Sequence, residues 1–207
     1  MCIHSRRADY VEWTKSEQFP SSFSGTRWLE DAQVAQRAID IWENLSTYVD
    51  KVESKSASNR PKCASYSTVV RAVKTDPMTI AKLYFFIRVA KIMKPFLHKF
   101  QTSNPMMPFM EQELTIVMKC LLENIVKAGR LGTSPTLGEM FALDLEREDN
   151  LIDCKNICIG LATKEALLKL KLSEAKSREF KSQCKEAYKS IVASLKKRFS
   201  SSSIELF

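Results

Sequence analysis

Between Met78 and Met93 the chain places Met78, Ile80, Ala81, Leu83, Tyr84, Phe85, Phe86, Ile87, Val89, Ala90, Ile92 and Met93, leaving Arg88, Lys91 and Lys94 as a narrow stripe suited to water. A helix that is apolar over most of its circumference has to be buried. The remainder of the chain must therefore supply partners that cover it. Asp76 before Pro77 reads as the helix start, because Asp accepts from the free amides of a first turn and Pro gives up an amide that had no partner. Pro95 predicts a bend or an end, although Phe96, Leu97 and Phe100 continue the apolar pattern. After the turn Thr102-Ser103-Asn104-Pro105 a second helix follows, with Met110, Leu114, Val117, Leu121 and Ile125 on one face and Gly129 as its stop. So short a turn predicts an antiparallel hairpin. Each Leu or Phe it fully buries contributes about 2 kcal/mol before entropy is subtracted. The stripe of aromatic and Met residues reads as core, not as a cofactor box, and no cofactor is expected.

Only five glycines occur in 207 residues, with no sustained alternation of period two and no Asn-Gly or Asp-Gly hairpin signal. That scarcity predicts an all-α chain, an irregular multi-helix bundle. Its expected organisation is a short N-terminal helix and connector over 1–25, a helical domain over 26–199 and a disordered tail over 200–207. Lys82, Arg88, Lys91 and Lys94 interrupt the most hydrophobic segment, so no membrane span is expected. Met1 to Arg7 lacks the apolar core of a secretory signal, and an intracellular location follows as an expectation.

Around the central stretch, residues Ser5 to Lys15 read as a polar helix and Phe19 and Phe23 as anchors of the connector after it. Ala32, Ala35, Ala38, Trp42, Leu45, Val49 and Val52, spaced by three and four, predict one long helix with a narrow seam. Ser54 to Pro61 reads as a flexible linker and Ser65 to Val73 as a short helix or turn. Past Gly129, the segment Arg130 to Thr136 reads as loop, Leu137 to Leu145 as a weak helix, and Glu146 to Asp149 as a charged turn. Leu151 to Leu170 reads as helix, with Gly160 as a break. Ser173 caps a last helix that turns Phe180, Cys184, Ala187, Ile191, Leu195 and Phe199 inward.

The charge is unevenly spread. Residues 155–198 carry 12 Lys or Arg against 4 Asp or Glu, a surplus of 8 that equals the net charge of the whole chain. On the last helix, Arg178, Lys185, Lys189 and Lys196 line up along a face of their own, where a solvated surface or a contact with phosphate is expected.

Six cysteines at 2, 63, 120, 154, 158 and 184 are widely spread and read as thiols without a disulfide framework. Cys154 and Cys158 would sit one helical turn apart, but no further ligand pair completes a zinc set, so no metal site is expected. Glu139, Asp144, Glu146, Glu148 and Asp149 read as a solvated acidic helix end. The chain holds no G-x-S-x-G elbow, no Gly-rich phosphate loop and no H-E-x-x-H. No catalytic residue is assigned.

Four blocks near the N-terminus carry a further signal: Arg7-Ala8-Asp9-Tyr10, Phe19-Pro20-Ser21-Ser22-Phe23, Gly25-Thr26-Arg27-Trp28-Leu29-Glu30-Asp31 and Ala38-Ile39-Asp40-Ile41-Trp42-Glu43-Asn44. With Pro61-Lys62-Cys63, Asp76-Pro77, Ala81-Lys82-Leu83-Tyr84-Phe85-Phe86, Lys94-Pro95-Phe96-Leu97 and Pro105-Met106-Met107-Pro108-Phe109, they resemble the helical insertion region of hAT-superfamily transposases and their domesticated relatives. In that family the insertion interrupts an RNase H-like core, and an Arg-Trp pair at the edge of the active site stacks on a displaced DNA base. The resemblance carries that pair onto Arg27 and Trp28. Such stacking is worth about 1–3 kcal/mol. A Trp packed on Phe23 with a solvated Arg beside it is the alternative for the same two residues.

The family's catalytic carboxylates belong before and after these blocks and match nothing in the chain, nor does a BED-type zinc finger. Two-metal strand transfer is therefore not expected of it. What the resemblance implies is a non-catalytic, transposase-derived helical interaction module, nuclear and associated with nucleic acid through Arg27 and Trp28, to which the confined charge surplus adds the basic face of the last helix. A fragment that lends its Arg-Trp pair to a complete transposase core, or a folded remnant without selected function, are the rival readings. DNA is one implied partner; a protein, or a second copy meeting exposed apolar seams, is the other.

Overall fold

The computed structural model describes residues 3–22, 28–56, 60–99 and 109–199, with side chains described for all of these except 3–5 and 28–29. Among the described residues the chain is all-α. Ten helices follow one another: α1 (Ile3–Thr14), α2 (Trp28–Asp40), α3 (Trp42–Glu53), α4 (Ala64–Lys74), α5 (Thr79–Lys99), α6 (Met110–Leu122), α7 (Ala128–Leu131), α8 (Leu137–Ala142), α9 (Leu161–Lys169) and α10 (Glu174–Phe199). Two 3-10 turns, Glu148–Asn150 and Cys154–Asn156, lie between α8 and α9. There is no strand among the described residues; one isolated antiparallel bridge joins Val126 and Leu151. Where the sequence suggested one domain over 26–199, the contacts fall into two compact units, Met1–Ile87 and Arg88–Phe207.

In the first unit α3 is the centre, packed by α1, α2 and α4. The polar helix α1 docks through aromatic rings: Tyr10 lies 5.4 Å from Phe19 and 5.6 Å from Tyr48, and Trp13 lies 5.6 Å from Tyr48. Lys55 Nζ lies over the Trp13 ring at 4.4 Å and pairs with Asp9 at 3.4 Å. Phe19 is the connector anchor the sequence suggested; Phe23 lies outside the described residues. Arg60 bonds Glu53 at 2.9 Å and the Lys55 carbonyl at 3.1 Å, fastening the far side of the linker to the end of α3. Tyr66 on α4 donates to the same Glu53 at 2.9 Å, and burial together with that carboxylate raises its phenol pKa.

The long helix expected over Trp28 to Val52 is two. They part at Ile41, whose φ of −102° and ψ of 13° leave the helical region, and that side chain is fully buried. Hydrogen bonds from Ile41 to Arg37 and from Leu45 to Ile41 bridge the joint. The expected seam misses Ile41, and bringing it inside re-aims α3 so that Val49 and Val52 are buried behind it. At the other end of the unit, Asp76 accepts from the Met78 amide at 3.0 Å and pairs with Lys82 at 2.6 Å. Regular helix then begins at Thr79.

In the second unit α6 and α10 are the core pair, with α8 against α6. Leu114, Val117, Leu121 and Ile125 are buried as their spacing suggested, and Met118 and Leu122 join them, so α6 is apolar over more than one face. From α10 come Phe180, Cys184, Tyr188, Val192 and Leu195. Ala187, Ile191 and Phe199, expected inside, are only half-buried: the buried row steps by four from Phe180 to Val192 and then by three to Leu195. Burial pushes the Cys184 thiol up to about 12. Ser173 does cap the helix, its hydroxyl accepting from the Lys176 amide at 3.4 Å.

Several boundaries differ from the sequence reading. Pro95 lies inside α5, which runs on to Lys99 as the apolar pattern beyond the proline suggested. Met93 and Phe96 are buried on either side of it, and the Phe96 ring meets Phe199 edge-on at 6.1 Å, so packing holds helix through a residue that costs about 3 kcal/mol in isolation. The turn at 102–105 lies outside the described residues. Gly129 is not the stop of α6, which ends at Leu122. Asn124 ends it instead: its side-chain amide donates to the Cys120 carbonyl at 2.6 Å and the Leu121 carbonyl at 3.3 Å, taking the place of the next helical amides. Gly129 falls within the short α7.

Leu151 to Leu170 is not one helix. The amides of Ile152 and Cys158 donate to the carbonyls of Ile125 and Asn124, and Lys127 donates to Asn150, so this segment lies extended beside the end of α6. Leu151, Ile157 and Ile159 turn inward while Cys158 turns outward. Helix resumes at Leu161, after Gly160 with φ 85°. A Cβ at Gly160 would stand 2.7 Å from Arg88 Cδ. That arginine, grouped by sequence with the solvated Lys91 and Lys94, is held in place: Nε donates to Tyr188 Oη at 3.2 Å, and Nη2 to Asn124 Oδ1 at 2.8 Å and Cys158 Sγ at 3.2 Å. Tyr188 in turn donates to the Cys158 carbonyl at 3.2 Å.

Candidate nucleic-acid interface

The four cations assigned to the face of α10 meet different fates. Lys185 is 3% exposed, and its ammonium reaches outward to Glu148 at 3.0 Å. Lys189, one turn on, bonds Glu146 at 3.0 Å and pairs with Glu186 at 3.6 Å. Lys196 donates to the Leu143 carbonyl at 2.7 Å. The segment from Leu143 to Glu148 thus runs along α10 and takes up three of its lysines. The expected solvated stripe of α10 is corrected here: of the acidic residues Glu139, Asp144, Glu146, Glu148 and Asp149, which are exposed as the sequence suggested, Glu148 and Glu146 are also the counter-charges of Lys185 and Lys189, 37 and 43 positions away.

These environments alter the lysines' proton affinities in opposite directions. Burial alone would lower the Lys189 pKa, but the bond to Glu146 and the charge of Glu186 outweigh it and the pKa ends raised. For Lys196 burial dominates over the attraction of Asp144, and its pKa falls below the ordinary lysine value. A lysine so engaged exchanges one anion for another when it meets a phosphate, which weakens its contribution to binding.

Arg178 is exposed and makes no ion pair among the described residues. It lines an open cavity of about 340 Å³ at the start of α10, together with Asp153, Lys155, Glu174, Ser177 and Lys181. Lys181 donates to the Lys155 carbonyl at 2.7 Å, which ties the 3-10 turn Cys154–Asn156 to the helix and sets the two lysines and the arginine around one opening. Asp153 faces its own turn: its carboxylate accepts from the Lys155 amide at 2.9 Å, and that bond, aided by the charges of Lys155 and Arg178, holds its pKa below the usual range. Three cations therefore outnumber two carboxylates around the rim, one of which is already bonded to backbone. A phosphate oxygen entering the cavity would find charged donors with no desolvated counter-ion to displace.

Lys155 and Lys181 were absent from the sequence assignment. Lys181 lies three residues from Arg178 on one helix, a spacing visible in sequence. Lys155 is brought in by the extended run after Asn150, which no local pattern announces. Arg27 lies outside the described residues; Trp28 opens α2, with its side chain outside them.

For other chemistry the placements are these. Cys154 sits in a 3-10 turn and Cys158 in the extended run, so the two are not on one helix as expected. The thiols of Cys63, Cys120 and Cys158 are exposed and that of Cys184 is buried; none of the described cysteines is in a disulfide. Among the described residues no group of three or more His, Cys, Asp or Glu side chains is placed to hold a metal ion. No described helix is long and apolar enough to cross a membrane. Compared with protein-family models, curated proteins and solved structures, the chain matches none.

Proposed function

We propose that this chain is a non-catalytic helical interaction module that associates with nucleic acid through the start of α10. The observation that carries the reading is the cavity ringed by Lys155, Arg178 and Lys181, three cations of the basic surplus gathered at one opening. A phosphate backbone suits it because contacts of this kind are electrostatic and need no base-specific partner. The resemblance to hAT-superfamily insertions supports the same reading from a separate direction, as a transposase-derived scaffold located in the nucleus. Arg27 and Trp28 would add a stacking contact to the phosphate contacts.

The test is a filter-binding titration with duplex DNA at a low and a moderate salt concentration. Three cations on phosphates give a slope of about −2.7 in log affinity against log salt. Arg178→Glu with Lys181→Glu is expected to abolish most binding at low salt, and Leu143-side variants such as Glu146→Gln are expected to leave it near wild type. No binding at low salt, or binding indifferent to the double charge reversal, overturns the proposal. Lys185→Glu is the wrong probe, since a carboxylate placed at a buried position disturbs folding before it disturbs binding.

A further inference from the structure

The cavity at the start of α10 holds an acceptor among its cations. Its helical wall is one face of α10, made by Glu174, Ser177, Arg178 and Lys181. Glu174 precedes Arg178 by one turn, the order and spacing at which a carboxylate and a guanidinium ordinarily pair on a helix. Here they stay apart: both side chains are exposed, and neither makes a hydrogen bond or ion pair among the described residues. On the facing wall Asp153 is turned to the Lys155 amide at 2.9 Å, and Lys181 is tied to the Lys155 carbonyl at 2.7 Å. Lys176 and Glu179, the other charged residues of this stretch of α10, are exposed but do not line the cavity. The opening therefore presents a free carboxylate beside a free guanidinium, about 6 Å apart along the helix axis.

A ligand that brought phosphate alone would satisfy the cations and meet Glu174 as a like charge. DNA is such a ligand, because the sugar next to each phosphate offers hydrogens bound to carbon. A ribonucleotide carries a hydroxyl on the carbon beside the one that bears its 3′-phosphate, and so presents a donor and an anion side by side. Carboxylates recur as acceptors for the ribose 2′-hydroxyl, and that hydroxyl is what lets a protein tell RNA from DNA. Glu174 accepts from it while Arg178 and Lys155 donate to the phosphate oxygens. Ser177, half-buried on the same face, can serve either group.

We infer that this cavity selects ribose, and that its preferred nucleic acid is single-stranded RNA. The inference rests on the nucleic-acid reading of the same cavity and adds the sugar. The strand is a single one because a duplex keeps its sugars and phosphates on a convex surface, whereas an unpaired backbone can bend into a concave opening of about 340 Å³.

Fluorescence anisotropy of the full chain with labelled single strands of one unstructured sequence, as RNA, as DNA and as 2′-fluoro RNA, tests it. RNA is expected to bind about tenfold more tightly than the other two, the worth of one hydrogen bond to a charged acceptor. The 2′-fluoro strand keeps the ribose pucker and lacks the hydroxyl proton, so it separates the donor from the shape of the backbone. Glu174→Ala is expected to weaken RNA, tighten DNA and bring the three strands level, because it removes the acceptor and a like charge together. Its position is exposed, so far-UV circular dichroism is expected to be unchanged. Equal binding of all three strands by the wild type overturns the inference and leaves the nucleic-acid reading in place, as does an RNA preference that survives Glu174→Ala or is shared by the 2′-fluoro strand. Failure of every strand to bind at low salt overturns that reading, and the inference with it.

Discussion

The two halves of α10 carry the same kind of residue to opposite ends. Towards its start Lys176 and Arg178 stand in water, with Lys181 at the cavity rim; further on Lys185, Lys189 and Lys196 are drawn into contacts with Glu148, Glu146 and the Leu143 carbonyl. Nothing intrinsic to a lysine decides between these outcomes. What decides is the segment lying alongside the lysines: those further on have Leu143 to Glu148 beside them, and those near the start have the 3-10 turn Cys154–Asn156, held by Asp153. A charge count along a helix therefore measures the potential for binding phosphate, and the neighbouring chain determines how much of it survives folding.

The widest gap between the halves is in stability. Lys185→Glu puts a carboxylate at a buried position facing Glu148 and is expected to cost about 3 kcal/mol or more, whereas Arg178→Glu is expected to stay within about 0.5 kcal/mol. Equal urea midpoints for the two variants would break the distinction. Next in size is Tyr188→Phe, which leaves the Cys158 carbonyl without its hydroxyl donor and Arg88 without one acceptor. It is expected to lower stability by about 1–2 kcal/mol, read by the same denaturation.

A smaller effect separates Lys189 from Lys196 by its sign. With its folded pKa raised, Lys189 contributes stability that is whole below the ordinary lysine value of 10.5 and is lost as pH climbs through the folded value. Lys196, whose folded pKa is lowered by burial, gives the reverse: the folded chain sheds its proton first, so stability from this group grows as pH rises through the folded value towards 10.5. Thermal midpoints measured across alkaline pH are expected to show Lys189→Gln and Lys196→Gln deviating from wild type with opposite slopes. Matching slopes would show that the two ammonium groups share one environment.

Much of this was legible before any coordinates. The apolar residues of Met78 to Met93 and the spacing from Leu114 to Leu121 indicate helix and burial from a 3.6-residue period, and Ile125 is buried as that spacing suggested although α6 has already ended at Leu122. What the sequence concealed are places where a distant contact outweighs a local preference. Pro95 is carried through because Phe96 is packed on Phe199, and Asn124, unremarkable in sequence, ends α6 because its amide reaches two carbonyls. Residues 151–160 read as helix because Leu151, Ile152 and Ile157 fit either period; the inward Ile157 and Ile159 around an outward Cys158 were the missed sign of extended chain. The candidate site suffered most, since the partners of Lys185 and Lys189 lie far away in sequence and only Arg178 of the α10 assignment remains exposed.

Lysine-selective acetylation followed by mass spectrometry, with and without duplex DNA, reads the partition of α10 and its consequence together. The expected result is fast labelling of Lys176 and Lys197, which are exposed, slow labelling of Lys185 and Lys189, and DNA protection confined to Lys155 and Lys181. Rapid labelling of Lys185 and Lys189 without DNA, with protection centred on them when DNA is added, would contradict the account.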